Sequence, residues 1–183
     1  MTTIVPVITF IMTLLPGEHQ GAAPAELTVV PSVDLQRYSG TWYEIARLPN
    51  RFQKECVGDV TATYTLDRDE YVVVNRCKNE DGEIVEATGR ARRAFDEGPN
   101  SKLEVRFAPA FLSIFPFVWG KYWIIDLDAD YRYAVVGEPT REYLWILART
   151  RTLPETTLRE ILGRITRQGY SIKDLIFTKQ TAP

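Results

Sequence analysis

Few side chains in this sequence are of types that do chemistry. The single histidine, His19, lies near the N-terminus, so the commonest general base and metal ligand is missing from the body of the chain. Two cysteines, Cys56 and Cys77, are too few for a structural zinc site without several other ligands, and neither has an evident activating base. No Gly-rich phosphate loop, G-x-S-x-G elbow or pair of Cys-x-x-Cys ligands occurs. Acid–base work would fall to a tyrosine with Glu44 or Asp126. The expectation is therefore no catalytic residue, no metal site and no cofactor, and a protein that binds.

The elements that must position any site read as strands. From Gly40 to Gln180 short segments alternate in polarity between turn residues. They are Thr41–Leu48, Val60–Leu66, Tyr71–Val74, Val85–Phe95, Lys102–Phe107, Tyr122–Leu127, Tyr131–Gly137 and Tyr143–Arg149. Val60–Leu66 and Tyr71–Val74 flank a tight turn and form a hairpin. A helix is expected over Pro154–Gln168, with Leu158, Ile161, Leu162 and Ile165 at helical spacing, Thr152 and Glu155 as a capping box, and Gly169 as its stop. Ile172–Phe177 adds a last strand segment. The fold class is all-β, an eight-stranded up-and-down antiparallel barrel with one C-terminal helix packed outside, and a sandwich is the alternative. A bridge between Cys56 and Cys77 needs a bulge near Glu55–Gly58, because a simple register separates them along the ladder.

Ile4–Leu15 is an uncharged apolar run, and Ala23-Pro24-Ala25 fits a secretory cleavage site, so residues 1–25 read as a leader and residues 26–183 as one domain. Met1-Thr2-Thr3 departs from the pattern by carrying no positive charge. The expected location is periplasmic or secreted, with an outer-membrane association as one option. A net charge of −2 from 22 basic and 24 acidic residues gives no overall argument for nucleic acid. The basic cluster Arg90, Arg92, Arg93 reads as a solvated strand face.

Three motifs carry a resemblance to the lipocalin family, and within it to bacterial lipocalins and apolipoprotein D-like proteins. Gly40-Thr41-Trp42 opens the longer string GTWYEIARLPNRFQ after the short turn-helix VDLQRYS. Asp128-Ala129-Asp130-Tyr131 lies inside YWIIDLDADYRYAVVG, and Arg149 ends YLWILARTRTLP. The resemblance implies that Trp42 plugs the closed end of the barrel and that Arg149 packs over it as a cation–π pair.

Alternation places Ala62, Tyr64 and Leu66 on one face, with Tyr71, Val73 and Asn75 across the hairpin. The family pattern adds Leu103, Val105, Phe107, Tyr122, Ile124, Ala134, Val136, Tyr143 and Trp145 inside, and leaves Trp123, Leu144 and Ile146 outside, where some of them would meet the helix. The ligand-binding set is thus Ala62, Tyr64, Val73, Asn75, Leu103, Val105, Phe107, Tyr122, Ile124, Val136, Tyr143 and Trp145, apolar with tyrosyl hydroxyls, which suits a greasy molecule with a polar head. A solid core is the alternative, against which the small Ala62, Ala87, Gly89 and Ala134 argue by leaving space. The connection Phe107–Trp119 is unusually apolar. It is either a lip at which Phe111, Leu112, Phe115 and Phe117 meet a membrane or gate the ligand, or a loop folded over the mouth. The resemblance implies a carrier or store of a lipid such as a fatty acid or lysophospholipid, serving membrane maintenance. A lipid-modifying enzyme and a haem or tetrapyrrole carrier are the alternatives, the latter lacking an inward histidine.

Overall fold

The alternating segments become antiparallel strands that close on themselves. The computed structural model describes residues 26–181 apart from residues 96, 109–111 and 113–114, so the leader expected over residues 1–25 lies outside the described residues. Among the described residues the barrel strands are β1 Gly40–Arg47, β2 Gly58–Asp67, β3 Glu70–Lys78, β4 Ile84–Arg93, β5 Lys102–Arg106, β6 Gly120–Leu127, β7 Tyr133–Gly137 and β8 Leu144–Ala148. Each pairs with its neighbour in the chain, and β1 pairs with both β8 and β2. Closure thereby removes the open edges of the sheet. A short helix, α1 (Leu35–Tyr38), precedes the barrel, and α2 (Glu155–Arg167) and β9 (Ile176–Phe177) follow it.

Hydrophobicity on both strand faces gives the barrel two cores. Outside, Ile161 and Ile165 of α2 are fully buried against Ile45, Trp123, Ile125, Val135, Leu144, Ile146 and Ala148. Each such isoleucine contributes roughly 2 kcal/mol by leaving water. Arg164 fixes the helix further, donating to Asp126 Oδ2 at 2.6 Å and to the Tyr133 hydroxyl at 2.8 Å. Inside, Trp42, Tyr64, Tyr71, Val73, Leu103, Tyr122, Ile124, Ala134, Val136 and Leu147 pack with Tyr38 of α1.

Four local readings are corrected by the structure. The capping box of Thr152 and Glu155 does not form: Pro154 occupies the N-cap and no side chain caps the helix. Tyr131 adopts a positive φ of 60° within the turn, so β7 starts at Tyr133. Tyr143 precedes β8, which starts at Leu144. The terminal strand shrinks to Ile176–Phe177, which pairs with Arg47 and Ala46 of β1.

That terminal segment has a structural job. Where β1 and β2 part company above Tyr43 and Thr61, residues 176–181 fill the gap. The Thr178 amide donates to Ile45 O, the Asp59 amide to Lys179 O, and Gln180 Nε2 to both Glu44 O and Val60 O. Backbone groups that the splayed strands would leave unpaired are thereby satisfied. A bulge between Gly58 and Thr61, a few residues later than expected, brings Cys56 and Cys77 into a disulfide with 5.5 Å between their Cα atoms.

Candidate functional site

Strand direction divides the lumen into a closed end, where β1 begins, and an open end, where β1 finishes. Gly40 starts the closed end at φ +97°, and a Cβ there would lie 3.3 Å from Arg149 Nη1. Only glycine accepts that backbone while admitting the arginine so near. Two residues on, Trp42 is fully buried, and its indole Nε1 donates to Tyr38 O at 2.8 Å. The Arg149 guanidinium stacks 3.7 Å from the Trp42 ring centre. Its N–H groups donate to the carbonyls of Arg37, Tyr38, Ser39 and Thr41, collecting acceptors that the end of α1 would otherwise leave open.

The Asp128–Tyr131 turn completes this plug. The Asp34 amide donates to the Tyr131 hydroxyl at 2.8 Å, and Arg37 lies 4.2 Å from the Tyr131 ring centre. Asp128 accepts from Arg132 Nε and Nη2, both at 2.8 Å, and from the amides of Asp130 and Arg132. Those hydrogen bonds, Arg132 first, hold its carboxyl down at about 2.

Above the plug lies a tyrosine floor. The Tyr122 hydroxyl is 2.8 Å from that of Tyr38 and 2.7 Å from that of Tyr64, and Tyr71 donates to Leu35 O at 2.6 Å. Burial pushes the Tyr64 phenol up to about 12 and raises those of Tyr38 and Tyr122 as well, so the floor is neutral across the physiological range.

The proposed ligand residues fall into two groups. Tyr64, Val73, Leu103, Tyr122, Ile124 and Val136 are buried in this floor. Ala62, Val105 and Trp145 stand half-buried above it on the same inner face. Asn75, opposite Ala62, is half-buried too, and its Oδ1 is buried without a partner among the described residues. Tyr143 stacks at 6.0 Å on Trp145 and touches Phe52 at 5.6 Å, so it belongs to the rim. The space expected at Gly89 is taken: a Cβ there would lie 2.7 Å from Phe107 Cδ1 and 2.5 Å from Arg106 O. Phe107 therefore lies across Gly89 and remains 42% exposed. Ala134 leaves no opening either, being fully buried in the inner core.

A buried polar cluster beside Trp145 escaped the reading of the sequence. Glu44 and Arg47, 2% and 7% exposed, form an ion pair of 2.9 Å. Glu44 Oε2 accepts from Gln53 Nε2 at 2.6 Å, and Oε1 accepts from the Thr178 hydroxyl. Gln53 Oε1 in turn accepts from Trp145 Nε1 at 2.8 Å. Alternation from Trp42 would have put Glu44 inside, but a register shift between Glu44 and Ala46 turns Arg47 inward as well, opposite Trp145. Glu44 thus holds Arg47 rather than a tyrosine, and Asp126 lies outside under α2. Among the described residues no group of three His, Cys, Asp or Glu could hold a metal.

Around the open end Phe52, Val57, Ile84, Phe107, Phe115 and Phe117 are exposed, Phe117 to 80%. Phe115 and Phe117 stack at 5.4 Å, Leu112 is half-buried, and Phe111 lies outside the described residues. Trp119, immediately before β6, sits 3.9 Å from Arg92 and 5.2 Å from Arg106.

Comparison with known proteins agrees with this architecture. The profile described as a lipocalin-like domain matches residues 33–180. A temperature-induced lipocalin of Arabidopsis thaliana is 40% identical over 157 residues, covering 85% of this chain and 84% of its own length. The outer membrane lipoprotein Blc of Escherichia coli K12 is 39% identical, covering 86% and 85%, and mouse apolipoprotein D is 30% identical, covering 88% and 84%. Among solved structures, insecticyanin of Manduca sexta superposes with a TM-score of 0.67 at 18% identity over 87% of each chain, a likeness of fold.

Proposed function

The chain belongs to the lipocalin family, and on that footing we propose that the open half of its barrel binds and carries one elongated lipid, a fatty acid or lysophospholipid. Lipocalins are in general binding and transport proteins for small hydrophobic molecules. The observation that carries the finer reading is the inner wall formed by Ala62, Val105 and Trp145, which stays half-buried although its side chains are apolar and face the lumen. Apolar surface left open inside a protein is surface a ligand can dehydrate. An acyl chain contributes at most about 0.8 kcal/mol per buried methylene, and the cost of ordering it leaves affinity in the micromolar to nanomolar range.

The protein then works outside the reducing cytoplasm, in the periplasm or after secretion, where its disulfide persists, as befits relatives named outer membrane lipoprotein and apolipoprotein D. Its exposed rim of Phe52, Phe115 and Phe117 meets a lipid surface from which the cargo is drawn or to which it is returned, in keeping with membrane maintenance.

Titration of the full chain with oleic acid and with a lysophospholipid tests this reading. Saturable quenching of Trp145 fluorescence, largely lost in Trp145→Phe, is the expected result, with the lipid recovered chemically unchanged on extraction. A Phe115→Ser/Phe117→Ser variant should keep the titration but sediment less with phospholipid vesicles. Flat titrations with both lipids would sink the proposal.

A further inference from the structure

The hydroxyls of Tyr38, Tyr64 and Tyr122 make two contacts with one another, both through Tyr122. Each phenol brings one proton. Whichever oxygen donates in each contact, two protons are used and one is left. Among the described residues none of the three hydroxyls makes a further hydrogen bond, and the surrounding Val73, Ala91, Leu103, Ile124, Ala134 and Val136 offer side chains without a polar atom. A buried donor left without an acceptor is destabilising. Of the three residues Tyr122, the hub, keeps the most accessible surface, 9% against 0% and 3% for Tyr38 and Tyr64.

We infer that the tyrosine triad is a hydrogen-bond donor site at the floor of the lumen, and that it takes the leading end of the ligand when that end carries a neutral acceptor such as a ketone, ether or ester oxygen. This inference rests on the lumen binding an elongated apolar molecule and adds which end chemistry it selects. A neutral acceptor fits better than a carboxylate. The triad supplies one uncharged donor in apolar surroundings, too little to offset the desolvation of an anion. Burial keeps all three phenols protonated across the physiological range, so the donor persists there.

Two probes of equal shape test it on the full chain: a long-chain methyl ketone and the alkene in which a methylene group replaces the carbonyl oxygen. The ratio of their Kd values should favour the ketone by roughly three- to tenfold more in the wild type than in Tyr38→Phe/Tyr64→Phe/Tyr122→Phe. The infrared carbonyl band of the bound ketone should shift to lower frequency in the wild type only. Proton counting fixes what the single variants must do. Tyr64→Phe leaves two hydroxyls, one contact and still one spare proton, so it keeps the preference. If the triple variant does not fold, the carbonyl band decides: it must stay shifted in Tyr64→Phe and in Tyr122→Phe, which frees two protons, and an unshifted band overturns the inference. Tight binding of both probes with an unshifted carbonyl band would overturn the inference and leave the carrier reading standing. Failure of the wild type to bind either probe would overturn both.

Discussion

The two halves of the lumen are built from the same eight strands yet differ in what fills them. At the closed end Trp42, Tyr38 and Tyr71 are at most 1% exposed, and their polar atoms have named partners, the one spare proton of the tyrosine triad apart. At the open end Ala62, Val105 and Trp145 are half-buried, Asn75 Oδ1 has no partner among the described residues, and phenylalanines ring the rim. Full burial and partial exposure are thus separated along the barrel axis. The floor holds the shape so that the wall above it can afford to be incomplete.

Substitution of one tryptophan in each half should break the symmetry most sharply. Trp42→Ala removes a fully buried indole together with the platform for Arg149, and should cost about 3–5 kcal/mol in denaturant unfolding. Trp145→Ala removes a half-buried ring held by one bond to Gln53, and should cost about 1–2 kcal/mol while weakening lipid binding more than tenfold. Equal losses of stability would mean that the open half is as much a core as the closed one.

Reduction of the disulfide separates the halves in a second way. The bridge closes a segment of 21 residues, and its loss should lower stability by about 3 kcal/mol. Cys56 O accepts from Arg47 Nη2, and Gln53 lies on the same connection, so the effect should spread through the open half. Hydrogen exchange should quicken at Val57–Val60 and in the 176–181 segment while protection persists at Trp42–Tyr43 and Tyr64. Uniform loss of protection would show one cooperative unit instead.

The same division explains what was legible in the sequence. Arg149 reaches Thr41 O across 108 residues and stacks on Trp42, but Gly40, Trp42, Asp128 and Arg149 each stand in a short string whose motif is local, so the closed end was legible by resemblance. The eight strands and the stripe of α2 follow from polarity alternation, which is local too. The open end is made by groups distant in sequence. Phe107 occupies the space of Gly89, Thr178 reaches Glu44, and a bulge turns Arg47 inward. A bulge leaves no mark in a pattern of period two, because it changes the phase without changing the composition. A last strand was expected over Ile172–Phe177 and forms at Ile176–Phe177, but its pairing with β1 was hidden, since that is set by where β1 and β2 diverge.

Acid should test the closed end most gently. The Asp128 carboxyl sits at about 2 in the folded chain against an ordinary 3.8, held down chiefly by Arg132, whose side chain is 73% exposed. A carboxylate lowered on folding stabilises the protein above its unfolded value and loses that contribution as pH falls through about 4 towards 2. Solvent around Arg132 screens the pair, so the contribution is on the order of 1 kcal/mol. Arg132→Gln should therefore lower stability by about that much at neutral pH and by little near pH 2, flattening the acid limb of the stability profile. Lipid binding at neutral pH should stay unchanged, because the turn braces the plug from below and touches none of the wall around Ala62, Val105 and Trp145. If Arg132→Gln weakened binding as much as it weakened the fold, the closed end would be shaping the ligand site directly, and the floor and the wall would have to be treated as one structure.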